Sequence, residues 1–281
     1  MHRTVLAAGA LLVLTAPLFG LVIAAAPIPD RIALADAVVV GKIVSIEDKT
    51  VAAKRYPGDP SKAEFKVALI QIDAPLYGAK GLTRIRLGFV PPEAPINPKP
   101  GRPVIGGGIN RFPQLNHAVD QEACFFLKKH GEADFMVAQN YFDVIDKKTA
   151  GFDKEVAQVK QCAKLLEDPA ASLRSKNADE RLLTAAMMLT RYRTPPQGVQ
   201  NPKTEPLSAE QSKLLLDALA TADWTRRLDG SQVSPQMVFF RLNLTPKDGW
   251  TQPKNGQEIP AAAQKWLKDN AGKYQVQRFV R

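Results

Sequence analysis

The chain has 281 residues, 45% of them hydrophobic and 23% charged, with 38 Lys and Arg against 28 Asp and Glu for a net charge of +10. That mixture is ordinary globular usage and excludes a chain too polar to fold. The positive charge is dispersed, with no arginine-rich run, so the expectation is a protein that binds no nucleic acid.

The first element is a leader. In "MHRTVLAAGALLVLTAPLFGLVIAAAPIPD" a short basic start precedes an uncharged apolar run, and the small residues at its end suit cleavage after Ala24 or Ala25. Residues 1–26 therefore read as a secretory signal, or as an anchor if they are left uncut, which would be the chain's one contact with a membrane. The expected location is periplasmic or extracellular.

Residues 27–150 carry the period of two that marks strands. "DAVVVGKIVSIED", "AEFKVALIQIDAPLYG" with Phe65, Val67, Leu69 and Ile72 inward, and "LTRIRLGFV" with Leu82, Ile85 and Leu87 inward give three. "EACFFLKK" and "ADFMVAQNYFDVI", separated by "HGE", give two more. Five strands in this length are the count expected of a small sandwich or barrel. Between the third and fourth lies a long loop rich in proline and glycine, residues 91–120, which cannot be regular throughout.

Residues 151–281 switch to helical spacing. "DKEVAQVKQCAKLLED" sets Val156, Val159, Ala163 and Leu166 on one face with Asp153 as the expected N-cap. "NADERLLTAAMMLTRYR" starts with Asn177 and Glu180 in capping-box spacing and is apolar nearly all round, which predicts a buried helix. "SAEQSKLLLDALATADW" repeats the device with Ser208 and Gln211, and "SPQMVFFRLNL" and "IPAAAQKWLKDNAG" each place proline in the first turn. Gly272 stops the last helix, "YQVQRFV" reads as a short terminal strand, and "RTPPQGVQNPKTEP" is an internal loop. The fold expected is α+β: an N-terminal five-stranded OB-like antiparallel β-barrel followed by a C-terminal helical domain.

With "LADAVVVGKIVSIED", "DAPLYGAKG" and "ACFFLKK" in place, residues 30 to 145 resemble the netrin and tissue-inhibitor-of-metalloproteinase group of OB-like barrels. The resemblance implies the barrel. Those inhibitors chelate a protease zinc through an N-terminal cysteine, and the start near "AAPIPD" has none, so that mechanism is not carried over. "ADERLLTAAMMLTRYR" resembles one HEAT-type helix without a second copy at a fixed period. The whole is similar to exported bacterial proteins that join a barrel to a helical tail, a similarity that implies no activity.

Candidate chemistry is sparse. "GGGINRFP" lacks the lysine and hydroxyl residue of a phosphate loop, and Pro113 interrupts any helix after it. His117, Asp120, Glu122, Cys124 and His130 are metal-ligand types without metal-ligand spacing. No G-x-S-x-G elbow occurs, and Asp143 with Asp146 reads as a strand end rather than an acid–base pair. Trp224, Phe239, Phe240, Trp250 and Trp266 at helical spacing read as core. No catalytic residue, cofactor or metal is expected. Cys124 and Cys162 form a candidate disulfide joining barrel to helices, with two separate buried thiols as the alternative. The functional expectation is an exported binding or interaction module for an envelope protein or polymer; the alternative is an envelope hydrolase with its site where the two parts meet.

Overall fold

A computed structural model describes residues 25–92, 115–225 and 233–280. The leader and the glycine run at 106–108 lie outside the described residues, as does most of the 91–120 loop. The described residues form a mixed α+β molecule: a seven-stranded sheet, a separate two-stranded ribbon and seven α-helices. Among the described residues no helix is long and apolar enough to cross a membrane.

The strands are β1 (Ala37–Ile46), β2 (Val51–Lys54), β3 (Lys62–Tyr77), β4 (Arg84–Phe89), β5 (Glu122–Lys129), β6 (Met136–Val137) and β7 (Val144–Asp146). β1 lies between β3 and β5, antiparallel to both. β3 pairs with β4, β4 pairs parallel with β6, and β6 returns to β5, so pairing runs in a ring through five strands. β2 is added to the start of β3 and β7 to β5. Gly41 lets β1 pass close to β3, because a Cβ there would overlap the Gln71 carbonyl and the Ile70 side chain.

Alternation divides each central strand between two cores. Ala123, Phe125 and Leu127 of β5 join Val39, Ile43, Ile70 and Leu87 in one cluster, while Cys124 and Phe126 face the helices in another. That double burial is why "EACFFLKK" reads as a nearly continuous apolar run. β3 begins with Ala63, Phe65 and Val67 buried, then changes to Ala68 and Ile70, with Leu69 and Ile72 only half-buried. A register shift opposite it, between Ile43 and Ser45, moves the pleat by one residue. Leu82, expected inward, precedes β4 and is 49% exposed.

The helices are α1 (Ile28–Leu34), α2 (Phe152–Glu167), α3 (Pro169–Leu173), α4 (Ala178–Arg193), α5 (Ala209–Ala220), α6 (Pro235–Phe240) and α7 (Ile259–Asn270). Val156, Val159, Ala163 and Leu166 of α2 are buried as expected, but the N-cap is Gly151 at a φ of 86°, with Asp153 inside the first turn. The Asn177 side chain caps α4 by accepting from the Asp179 and Glu180 N–H groups. The Glu180 carboxylate accepts from Ser175 Oγ instead of completing a capping box. Leu182 through Thr190 are all buried, so α4 is the central helix. Ser208 and Ser234 cap α5 and α6. The terminal strand β9 (Gln277–Phe279) pairs with β8 (Thr204–Pro206), which lies within the proline-rich loop.

α1 was not expected, and it binds the two halves of the sequence together. It packs against α4, α2 and β5. Its Asp30 accepts hydrogen bonds from Thr190 at 3.0 Å and Arg241 at 2.8 Å, while Arg191 donates to the Ala33 carbonyl at 3.0 Å. One apolar cluster runs without a break from Ile32, Val38, Cys124 and Phe126 to Met187, Leu216, Phe239 and Trp266. Each such fully buried large side chain contributes about 1.5–3 kcal/mol of burial energy.

Candidate functional site: a basic cleft between strand-end loops and the 194–199 turn

The residues singled out in the sequence are dispersed. His117 is 6% exposed, lies edge-on to Phe89 at 5.0 Å, and shares a 2.8 Å hydrogen bond between Nδ1 and Gln121 Oε1. Burial pushes its pKa below the ordinary 6.5, against the hydrogen bond to Gln121. The Gln121 amide also reaches toward Asp146, at 3.5 Å. Asp120 pairs with Lys42 at 2.7 Å and Glu122 with Lys147, both on the surface.

His130 lies at the other end of β5. Its Nδ1 accepts from the Glu132 and Ala133 N–H groups at 3.1 and 2.9 Å, so Nε2 carries the proton and donates to the Lys54 carbonyl at 2.7 Å. Phe65 and Phe135 pack on its ring. Both nitrogens are committed to shaping a loop. Among the described residues no group of three or more His, Cys, Asp or Glu is placed to hold a metal ion.

Asp143 and Asp146 do not converge. Asp143 is buried, accepts the Gln139 and Asn140 N–H groups at 3.0 Å each, and lies 3.6 Å from Arg31. Burial pushes its carboxyl above the usual range despite those partners, and pushes the Arg31 guanidinium down. Arg31 stacks at 4.1 Å over Phe126. Asp146 pairs instead in β7 with Ala123.

Cys124 and Cys162 are free thiols, both buried in the cluster shared by sheet and helices. Desolvation raises each thiol to about 12, which makes either a poor nucleophile. Phe239, Trp250 and Trp266 are core: the rings of Trp250 and Trp266 lie 4.8 and 5.8 Å from that of Phe239. Trp224 is half-buried and donates to the Leu219 carbonyl, and Phe240 is exposed.

A pocket-sized concavity lies elsewhere. A cavity of about 680 Å³ is walled by the end of β2 and the turn after it (Lys54 to Gly58), by the β5–β6 connection (Lys128 to Glu132), and by the turn after α4 (Thr194 to Val199). Its size falls within the usual ~300–1,000 Å³ of ligand pockets. Two glycines hold the walls together. Gly198, at a φ of 75°, abuts Pro57 so closely that a Cβ would overlap the Pro57 carbonyl, and Gly58 meets the Gly198 backbone from the other side. Gln139 donates across the gap to Gln197 at 3.1 Å. Four cations line the cleft, Lys54, Arg55, Lys128 and Lys129, against the single carboxylate of Glu132. Lys54 lies 3.4 Å from Glu132, and Arg55 lies 3.8 Å from Asp59.

Sequence reasoning took "RTPPQGVQ" and "HGE" as plain loops, and β2 was not expected at all. The signal that could have found the site was the pairing of Lys54–Arg55 with Lys128–Lys129, each pair placed where a strand ends. Compared with known proteins, the chain matches no protein-family model and no curated protein.

Proposed function

We propose that the chain is an exported binding module of the cell envelope, with the cleft of Lys54–Gly58, Lys128–Glu132 and Thr194–Val199 as its ligand site. The observation that carries this reading is a pocket-sized basin lined by cations whose one imidazole, His130, has both nitrogens engaged in loop geometry. The site is built to bind rather than to move protons.

The five-stranded ring is read here as an OB-like barrel. Counting the five ring strands in chain order, the first, β1, touches the second and the fourth, and the third and fifth run parallel. OB barrels take oligonucleotides and oligosaccharides beside the loops joining strands one to two and four to five. In this chain those loops are residues 47–61 and 130–135, and the cleft opens between them. This is fold-level analogy, and it supports the location more than the activity. The likeness to the inhibitor group stands as a proposal on the same footing.

The test is a thermal-shift screen of oligosaccharides, peptides and small metabolites against the parent and Gly198→Ala. A module gives saturable stabilisation that the variant loses and leaves its ligand intact. Turnover of the ligand would favour the hydrolase reading, and stabilisation unaffected by Gly198→Ala would move the site elsewhere. Fractionation of a host expressing the chain with its leader checks export: recovery in the cytoplasm alone overturns it.

A further inference from the structure

Between α1 and the 3₁₀ turn at Tyr141–Asp143 lies a niche of about 70 Å³. Arg31 of α1 forms one side of it, with its side chain only 4% exposed and its guanidinium stacked on Phe126. Asp143 Oδ1 lies 3.6 Å from Arg31 Nε, close enough to balance its charge but beyond hydrogen-bond reach. Among the described residues neither Nε nor Nη2 of Arg31 has a hydrogen-bond partner. A buried guanidinium short of acceptors is costly, and a ligand group that supplies one gains what the free protein lacks. On the other side of the niche the Gln139 and Asn140 N–H groups both donate to Asp143 Oδ2, which leaves Oδ1 able to accept.

The wall carries Arg31 and Lys128 against Asp30 and Asp143, so the niche has no excess of either sign. What Arg31 lacks there is an acceptor, not a counter-charge. One water takes about 10–15 Å³ of such volume, so the niche has room for a group of a few heavy atoms, larger than a hydroxyl. A group that offers both a carbonyl and an N–H meets both open positions, its oxygen toward Arg31 and its N–H toward Asp143 Oδ1. A primary amide would press a second N–H against the apolar wall of Leu34, Ala35 and Phe126, where the methyl of an acetamido group is at home. Leu34, Lys128 and Gln139 line both the niche and the cleft, so the two are continuous. A ring that carries the acetamido group can therefore lie in the cleft, its C–H face on Tyr56, Pro195 and Pro196.

We propose that the niche is a subsite for the acetamido group of an N-acetylated amino sugar, its carbonyl held by Arg31 and its N–H by Asp143. The proposal rests on the binding-module reading and names the ligand class that the cleft and niche take together. It needs no net charge on the ligand, so affinity should change less than about twofold between about 0.05 and 0.5 M salt.

The experiment is calorimetric titration of the full chain with tri-N-acetylchitotriose, with cellotriose, which has the same linkage and a hydroxyl in place of each acetamido group, and with N-acetyl-trialanine. Arg31→Lys keeps the charge but not the planar fork. Ala26→Leu fills the niche from an exposed position on its rim, and it carries the test alone if thermal unfolding shows that Arg31→Lys does not fold. The expected result is saturable binding of the acetylated trisaccharide, about tenfold or more tighter than cellotriose, with each folded variant bringing the two within about threefold. Equal binding of the two trisaccharides overturns the proposal and leaves the module reading intact. A preference for the acetylated one that survives Ala26→Leu places its recognition elsewhere and overturns the subsite. Binding of N-acetyl-trialanine as tight as that of the acetylated trisaccharide overturns the sugar. Binding of no probe overturns the ligand class, while the wider screen with Gly198→Ala still judges the module. Cleavage of the bound trisaccharide would keep the subsite and overturn the module reading.

Discussion

At the scale of single residues, buried polar groups fix what each position tolerates. His117 is held neutral by burial, with a folded pKa below the unfolded value near 6.5. Its stabilising contribution is therefore present above about pH 6.5 and is lost as pH falls through the folded value, because the unfolded chain takes up a proton that the folded chain refuses. His117→Phe should remove that slope. Its stability relative to the parent should rise as pH drops from about 7.5 to about 5, which urea unfolding at the two values measures. Gly198→Ala meets both a left-handed backbone and the Pro57 carbonyl. It should cost about 1–3 kcal/mol, read from the same titrations. Residue type made the core aromatics Phe239, Trp250 and Trp266 legible, but helical spacing did not, since Trp250 lies outside any helix and the same reading took in the half-buried Trp224 and the exposed Phe240. It could not show that His130 spends both nitrogens on backbone, because the Lys54 carbonyl that takes one of them lies 76 residues away in the chain.

At the scale of elements, the sequence disclosed what its periodicity carried. β5 and α4 were legible because one is apolar on both faces and the other is apolar nearly all round with Asn177 before it. β2, with four residues, and α1, with two turns and a proline at its start, are too short to establish a period. The stretch "ADFMVAQNYFDVI" looked like one strand and is three pieces: β6, a 3₁₀ turn at Tyr141–Asp143 capped by Asn140, and β7. Asn140 and Asp143 bond each other's backbone N–H groups there, and that local competition breaks the strand. α1 depends on tertiary partners, chiefly the half-buried Asp30–Arg241 pair with Thr190. Asp30→Ala should destabilise by about 2 kcal/mol, since it strips Arg241 of its carboxylate. Adding Arg241→Ala should cost less than the sum of the two single changes, which a double-mutant cycle measures.

At the scale of the whole molecule, a shared core replaces the clean boundary that the change of period at residue 150 suggests. Cys124 and Phe126 of the sheet belong to the same apolar cluster as Leu216 and Trp266 of the helices. The expectation is one cooperative transition. All three tryptophans, Trp224, Trp250 and Trp266, lie in the helical half, so their fluorescence follows that half alone, whereas far-ultraviolet circular dichroism follows sheet and helices together. The two urea curves should coincide; a tryptophan midpoint displaced from the dichroism midpoint would show that the halves melt separately. The division in the sequence was legible because strands and helices differ in period, but the joint was not, because a strand buried on both faces does not say what covers its second face. The two thiols at that joint make it observable in time. A thiol reagent reaches Cys124 or Cys162 only when the sheet and helices part, so the labelling rate of the intact chain becomes a clock for how often the molecule opens along its middle.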